Sequence, residues 1–321
     1  MRRAGMTAVS VDFYGVVSLA EIALRIEEAY REALEGRLAR WFAGALRTWR
    51  PTLRAGVPGT GVELHGQPEE ETLRLLNHLL DLPVALHERS GRRTLVVYDE
   101  FQALLAASDT FDGLLRSRIQ RHGDSASYIF AGSHPGLMAE LFGARERPLY
   151  GQARPVHLPP LDDASLADYI GERFERTARD VGVALDPLLG LARGHPQRAM
   201  LLAHHLWAQT PRGAAADGET WERAVAAVFA ELQEAFERTW ESLSGNERRV
   251  LAAVAWIGPW GGGETLYSGA TLARFKLAKG TARDVRRALT RRGDLEETPA
   301  GPRIVDPLFE AWIASGRRPL Y

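Results

Sequence analysis

The residues of greatest chemical interest are the carboxylates Asp99 and Glu100, which directly follow the apolar run Leu95–Tyr98. A short apolar run of this kind predicts a buried strand, so the two carboxylates would lie at its carboxyl end. There, one carboxylate can hold Mg²⁺ and the next can orient and deprotonate a water that attacks a phosphate. The pair indicates phosphoryl-transfer chemistry. An acidic pair after an apolar run is also an ordinary helix N-terminus, and that alternative stays open.

The partner that this chemistry needs is missing from the sequence. Phosphates are held by a Gly-x-x-x-x-Gly-Lys-Ser/Thr loop, whose amides and lysine surround them. No Gly-Lys pair occurs, and the only lysines are Lys276 and Lys279. The glycine-rich stretch 56–61 has no lysine and follows no predicted strand, so we interpret it as a loop. The chain as written is therefore expected to bind ATP weakly or not at all.

Two further residues could contact a nucleotide. Ser133, followed by His134, ends the next predicted strand, where a polar side chain would face the γ-phosphate or the attacking water. Arg198, in the run Gly194–Arg198, opens a predicted helix and could swing onto the phosphates. Alone, each has an ordinary interpretation: a polar strand end for Ser133 and a solvated or capping arginine for Arg198.

The elements that would position these residues are predicted from periodicity, turn signals and two capping boxes, Ser18–Glu21 and Ser244–Glu247, each of which opens a predicted helix. Strands are predicted at Ala8–Tyr14, Leu95–Tyr98, Ser127–Ser133 and Pro155–Leu158, with helices between them. Alternating strands and helices predict an α/β fold with a mostly parallel sheet. After residue 160 only helices are predicted, followed by a hairpin around 299–302. The predicted domains are 1–160, 161–212 and 219–321.

Composition excludes several classes of protein. The chain of 321 residues has no cysteine, which excludes disulfides and thiolate metal sites and fits a cytoplasmic protein. No run of apolar residues is long enough to span a membrane. The formal net charge of −1 gives no global attraction to nucleic acid, so any such binding must come from a local patch.

Taken together, the motifs resemble the archaeal-type ATPase family, AAA+/STAND-like P-loop proteins with an ATPase core, a helical lid and a C-terminal winged helix. The resemblance extends from about residue 6 to about residue 315 and rests on the runs Val11–Gly15, Val97–Gln102, Phe130–Ser133, Pro148–Gly151, Gly194–Arg198 and Val305–Phe309. It implies ATP and Mg²⁺ as ligands, Walker B carboxylates at Asp99 (the metal ligand) and Glu100, sensor 1 at Ser133 and sensor 2 at Arg198. It also implies that Arg147 or Arg154 could face a phosphate or a second subunit of a homo-oligomer.

The chain departs from this family at its beginning. Relatives place a first strand and the Gly-Lys loop upstream of the helix that leads to the strand at Val11. In the family sheet order, 5-1-4-3-2, that strand lies between those at Ser127 and Pro155, so its loss leaves unpaired ladder groups that cost about 1–3 kcal/mol each if buried. This favours a start site placed too late or a truncated chain; the alternative is a pseudo-ATPase whose outer strands close up.

A second hypothesis comes from the basic residues near the C-terminus. Residues 271–292 contain eight arginines and lysines and one acid, Asp284. On a helix-turn-helix with a hairpin wing, such a concentration is typical of a contact with the DNA backbone. The predicted contact residues are Thr281, Arg283, Arg286 and Arg287. On this hypothesis the chain is a nucleotide-independent regulator that binds DNA or a protein partner. Alternatively, this region packs on the core.

Overall fold

The structure, a computed structural model, describes residues 5–49, 69–260 and 263–316. The chain divides into two compact units, Met1–Pro155 and Val156–Tyr321. The predicted ATPase core, 1–160, stays a prediction. The predicted separation of a lid from a winged helix inside the second unit stays a prediction. The glycine-rich stretch 56–61 lies outside the described residues.

The first unit is built on a parallel sheet of three strands, β1 (Thr7–Asp12), β2 (Thr94–Asp99) and β3 (Ala126–Phe130), in the order β1-β2-β3. In its register Val9 is paired with Val96, and Asp12 with Asp99. Three of the four predicted strands and the α/β class are thus confirmed, and the order agrees with the one that the resemblance implies. Within the described part of the chain, β3 pairs only with β2.

Seven helices accompany this sheet in the described residues: α1 (Leu19–Ala33), α2 (Gly36–Trp49), α3 (Glu69–Leu80), α4 (Leu82–Ser90), α5 (Leu104–Ala107), α6 (Phe111–His122) and α7 (Pro135–Gly143). The start of α1 is set by its sequence. Ser18 caps it by accepting a hydrogen bond from the amide of Glu21 at 3.3 Å, and Glu21 in turn accepts one from the amide of Val17 at 2.7 Å. The predicted capping box therefore forms the N-terminus of this helix, with the return bond shifted by one residue.

The core of the first unit lies on one face of the sheet. Val9, Val11 and Val96 are buried there, together with a ring cluster in which Tyr98 stacks on Phe13 with centroids 5.4 Å apart. Residues alternate between faces along a strand, so Ala8, Ser10 and Ile129 fall on the opposite face and are exposed. The buried aromatic face holds the three strand ends in fixed positions relative to one another.

The fourth predicted strand, Pro155–Leu158, is wrong. The segment has no strand partner among the described residues, and the side chains of Val156 and Leu158 are 79% and 83% exposed. Alternating apolar residues predicted a strand, but a strand also requires a neighbouring ladder. Pro155, Pro159 and Pro160 contribute no amide hydrogen to one.

The second unit consists of helices and one hairpin: α8 (Asp163–Glu175), α9 (Leu185–Ala192), α10 (Pro196–Gln209), α11 (Gly218–Ser242), α12 (Gly245–Trp260), α13 (Gly269–Arg274), α14 (Lys279–Arg292), β4 (Leu295–Thr298), β5 (Gly301–Ile304) and α15 (Pro307–Ala314). The strands β4 and β5 are antiparallel. A single hydrophobic core extends from Leu166 to Ile313, so α8–α10 and α11–α15 share one interior. The second predicted capping box is also present, because Ser244 and Glu247 exchange hydrogen bonds at the start of α12.

Stability of the first unit is expected to fall as the pH falls through about 6.5, because of His122. This side chain is 3% exposed, and its Nδ1 lies 2.5 Å from the hydroxyl of Tyr128. Burial lowers the pKa of His122 below its ordinary value, although Asp81 acts to raise it. The unfolded chain therefore binds a proton at a higher pH than the folded chain, and acid favours unfolding.

The check is urea unfolding of the first unit between pH 7.5 and pH 5.5, in the natural chain and in His122→Asn. The variant should lose part of the pH dependence. An equal dependence in both chains would show that His122 does not cause it.

Candidate nucleotide-phosphate site and basic helix

The predicted site lies at the carboxyl ends of the parallel strands. Asp12 and Asp99 end β1 and β2 side by side, and the side chain of Asp99 is exposed. Each carboxylate also organises the chain after its strand. Asp99 Oδ1 accepts a hydrogen bond from the amide of Glu100 at 2.9 Å, and Asp12 Oδ1 accepts one from the amide of Tyr14 at 2.8 Å. Asp12 was not among the predicted site residues, although its position at the end of a predicted strand could have indicated it.

Glu100 turns the chain out of the sheet. Its φ of 48° lies in the left-handed region, which is uncommon for a residue other than glycine and typical of functional turns. The carboxylate reaches the end of the next strand, where Glu100 Oε2 accepts a hydrogen bond from Ser133 Oγ at 2.8 Å and another from Gln102 Nε2. The structure thus brings Glu100 and Ser133 together, as expected for neighbouring parallel strands.

Gln102 and His134 complete this cluster. Sequence reasoning placed His134 beside Ser133 but missed Gln102 as a site residue. The side chain of Gln102 is 5% exposed, and its Nε2 lies 3.3 Å from Ser133 Oγ and 3.1 Å from His134 Nδ1. Gly132 leaves room for it, because a Cβ there would lie 2.3 Å from Gln102 Oε1. The only sequence signal for Gln102 was its position two residues after the acidic pair. Its role becomes apparent only from its contacts in the structure.

The first unit offers a carboxylate ligand for a hard cation but no lysine for the phosphates that the cation would accompany. The exposed carboxylate of Asp99 offers the oxygen ligand that Mg²⁺ prefers in nucleotide sites. The described residues contain no group of three or more side chains that could hold a metal without a substrate. No lysine occurs in residues 1–155 to share the charge of phosphates. A metal held by Asp99 would therefore need further ligands, such as phosphate oxygens and water.

Arg198 belongs to the second unit, where a carboxylate of that unit binds it. Its Nε and Nη2 donate to Asp306 Oδ1 and Oδ2 at 3.0 and 2.5 Å, and the side chains are 15% and 24% exposed. A second such pair joins Arg193 to Glu310 at 3.1 and 2.8 Å. Asp306 also caps α15, accepting from the amide of Leu308 at 3.0 Å. The two pairs fasten α15 to the start of α10 and the end of α9.

The candidate oligomer arginine Arg147 is bound inside the first unit. It donates to Glu140 at 2.7 Å, and this hydrogen bond raises the pKa of Arg147. Its Nη1 lies 3.7 Å from Asp112. A role toward a second subunit stays a prediction.

The predicted DNA-contact residues all lie on α14, but their surroundings differ. Arg283 and Arg287 are exposed, and Thr281 is half-buried. Arg286 forms a bidentate pair with Glu297 of β4 and donates to the Tyr267 hydroxyl at 3.0 Å. The hydrogen bond with Glu297 raises the pKa of Arg286, so this guanidinium is bound by the hairpin.

With this geometry described, the chain can be compared with known proteins. It is similar to a Walker-type ATPase of Pyrococcus abyssi, with 16% identity and a TM-score of 0.65 over 95% of this chain and 83% of that one. It is also similar to the ORC2 protein of Aeropyrum pernix in its ADPNP–ADP complexes, with 17% identity and a TM-score of 0.55 over 98% of this chain and 78% of that one. No family model matches the chain, and no curated protein matches it in sequence.

These similarities define the class of fold. The chain has the α/β fold of the Walker-type, AAA+-like ATPases, in agreement with the resemblance in its motifs. None of the described helices is both long and apolar enough to cross a membrane.

Proposed function

We propose that the chain is a member of the archaeal-type ATPase family and that its first unit carries the carboxylate half of an ATP–Mg²⁺ site. The observation that supports this most directly is the contact of Glu100 with Ser133 at the ends of adjacent parallel strands, beside the exposed Asp99. Ligands of open parallel sheets bind outside the carboxyl ends of the strands, where these three residues lie.

Each residue has a distinct role in this proposal. Asp99 would hold Mg²⁺, which when bound neutralises charge on the phosphates. Glu100 would accept a proton from the attacking water, and Ser133 would donate a hydrogen bond to the terminal phosphate. Gln102 holds the Glu100 carboxylate in position through its amide. In the described structure Ser133 and Gln102 both donate to Glu100 Oε2, which leaves Glu100 Oε1 to accept a bond from water. Ser133 has a single hydroxyl proton, so it must release Glu100 before it can donate to a phosphate.

The other contacts with the phosphates would come from Arg198, which is paired with Asp306, and from a Gly-Lys loop, which the sequence does not contain. Arg198 as a phosphate contact requires its pair with Asp306 to break. Because the sequence offers no Gly-Lys loop, the affinity for ATP is expected to be weak. The succession of α12, α13 and α14 followed by the β4–β5 hairpin supports a winged helix in 219–321, with the lid in 161–212. A homo-oligomer and a cytoplasmic location also belong to this proposal.

The test is Glu100→Gln. Turnover of ATP with Mg²⁺ should fall by at least about a hundredfold, because a general base contributes about 10²–10⁴-fold, while nucleotide affinity stays within about twofold. Asp99→Asn should instead weaken the Mg²⁺ dependence of nucleotide binding. Phosphate release and the binding of a fluorescent ATP analogue measure the two effects.

Glu88→Gln is a matched control, since Glu88 is an exposed carboxylate on α4. Unchanged turnover in Glu100→Gln would refute the role of Glu100. No measurable turnover in the natural chain would refute the enzymatic function of this form, and the binding data would still report on Asp99.

A second candidate function is binding of DNA or a protein partner through the C-terminal region without nucleotide. The specific observation that favours it is the exposure of Arg283 and Arg287 on α14.

A further inference from the structure

Four basic residues form a continuous stripe on α14. Lys279, Arg283, Arg287 and Arg291 follow one another at every fourth position, and all four are exposed. Because a helix turns about 100° per residue, each step of four positions moves only about 40° around the axis. The stripe therefore stays on one side of the helix and extends about 18 Å along it.

Three other basic residues of this region, Arg274, Arg286 and Arg292, are engaged within the unit. Arg274 lies 4.8 Å from the ring centre of Trp256, and Arg292 donates to Glu247 at 2.9 Å and to Asp294. Arg286 is bound by Glu297 and Tyr267. In the stripe, only Arg283 has a carboxylate nearby, Asp284 at 4.0 Å, and both of these side chains are largely exposed. Across the described residues, Lys279, Arg287 and Arg291 have no ion pair.

This differs from other helices of the same unit. Arg176, Arg223 and Arg238 each have a glutamate four positions earlier, at 2.5, 2.6 and 2.5 Å. Such pairs support a helix, whereas like charges four positions apart destabilise it by a few tenths of a kcal/mol. The stripe thus carries repulsion that the neighbouring helices avoid, which an anionic partner would relieve.

A cavity lies at the first turn of the stripe. It has a volume of about 380 Å³ and is lined by Tyr267, Lys279, Gly280, Arg283 and Arg286. The residue that precedes the helix, Ala278, provides no side-chain cap, so the first amides of α14 lack that partner. Cationic side chains from the stripe, a tyrosine hydroxyl and amides therefore converge where a phosphate oxygen could be bound.

We propose that this stripe binds the phosphate backbone of duplex DNA, with one phosphate in the cavity at its first turn. The proposal rests on the second candidate function and commits it to one partner. The row of evenly spaced positive charges, which winds about 120° around the helix over its three steps, is complementary to a regular polyanion. A B-form major groove admits a helix. The major groove of A-form RNA is too narrow for side chains to read. No large apolar side chain of α14 is exposed to anchor it in a membrane.

Arg286 has a different role in this arrangement. Its bonds to Glu297 join α14 to β4, so it holds the stripe against the hairpin. It is a positioning residue, and the contacts with phosphate belong to Lys279, Arg283, Arg287 and Arg291.

The experiment measures binding of the full chain to a fluorescein-labelled 20-bp duplex by anisotropy at several salt concentrations. Four phosphate contacts predict that log K falls with log[salt] with a slope of about −3.6. The double variant Arg283→Gln plus Arg287→Gln should reduce the slope to about −1.8 and weaken binding at low salt by at least about tenfold. The control is Arg176→Gln plus Arg238→Gln, which removes the same charge from two exposed arginines, one directly after α8 and one on α11.

Each outcome decides the proposal. A reduced slope in the stripe variant alone, with an unchanged circular-dichroism melt, supports it. An equal slope in the stripe variant and the natural chain would overturn the role of the stripe in DNA binding and would assign that binding to another face of the protein. An equal loss in both variants would reduce the effect to net charge. Failure to bind the duplex, or binding only to vesicles that contain phosphatidylserine, would overturn both the stripe and the DNA function.

Discussion

Replacing Asp306 by alanine is expected to destabilise the second unit by about 3 kcal/mol. The change leaves the guanidinium of Arg198 without its bidentate partner at a side chain that is only 15% exposed. It also removes the acceptor for the first amides of α15. Removing one member of a buried pair is costly because the remaining charge stays desolvated. Amide hydrogen exchange in α10 and α15 would measure the loss.

Asp306→Asn separates the two contributions. Asparagine is as good a helix cap as aspartate, so this variant should keep the cap and lose only the charge pairing. Its destabilisation is expected to be smaller than that of the alanine variant. Equal exchange rates in the two variants would mean that the helix cap contributes nothing to stability. Exchange rates equal to those of the natural chain in both variants would mean that the Arg198–Asp306 pair does not stabilise the packing of α10 and α15.

Gly194→Ala is expected to destabilise the same unit by about 3–4 kcal/mol. Gly194 has a φ of +74°, and an added Cβ would lie 2.4 Å from the carbonyl oxygen of Leu161 and 2.7 Å from Pro160 Cβ. The left-handed conformation alone costs a residue with a Cβ about 1–2 kcal/mol. Relieving the overlap must move backbone and disturb the hydrogen bond that the Leu161 amide donates to the Gly194 carbonyl at 3.0 Å. Denaturant unfolding followed at the second unit measures the change.

Gly190→Ala provides the control from the preceding helix. Gly190 lies within α9, and no heavy atom would approach an added Cβ within 4 Å. Because alanine favours a helix over glycine, this variant should gain up to about 1 kcal/mol. A loss in Gly190→Ala comparable to that in Gly194→Ala would show that neither effect comes from the close approach.

Local sequence signals predicted most of the secondary structure. β1 and β2 are runs with β-branched residues that are buried on one face, and the capping boxes at Ser18 and Ser244 mark helix starts in the structure. These signals work because strand burial and helix capping depend on residues near in sequence. Pro155–Leu158 was predicted wrongly because its pattern is local, whereas a strand also needs a partner that no local pattern reports.

The candidate site was predictable in part. The proximity of Glu100 and Ser133 follows from two parallel strands ending at one edge, which the sequence pattern already indicated. The contacts of Gln102 and the pairing of Arg198 with Asp306 were not predictable, since they depend on side-chain packing and on residues far apart in the chain. The chemical roles of Asp99, Glu100, Ser133 and Arg198 stay predictions.

The register of the parallel sheet has a consequence for how the two units form. Thr7 pairs with Thr94, so α1 to α4 all lie within the loop that this pairing closes, whereas the β4–β5 hairpin closes between Thr298 and Gly301. Each doubling of the length of a closed loop costs about 0.6 kcal/mol of chain entropy. Closing the loop between β1 and β2 therefore costs on the order of 3 kcal/mol more than closing the hairpin, before any packing is gained. Long-range pairing of this kind slows folding. The sheet of the first unit therefore forms only after a long loop has closed, whereas the hairpin of the second unit forms between neighbours in sequence.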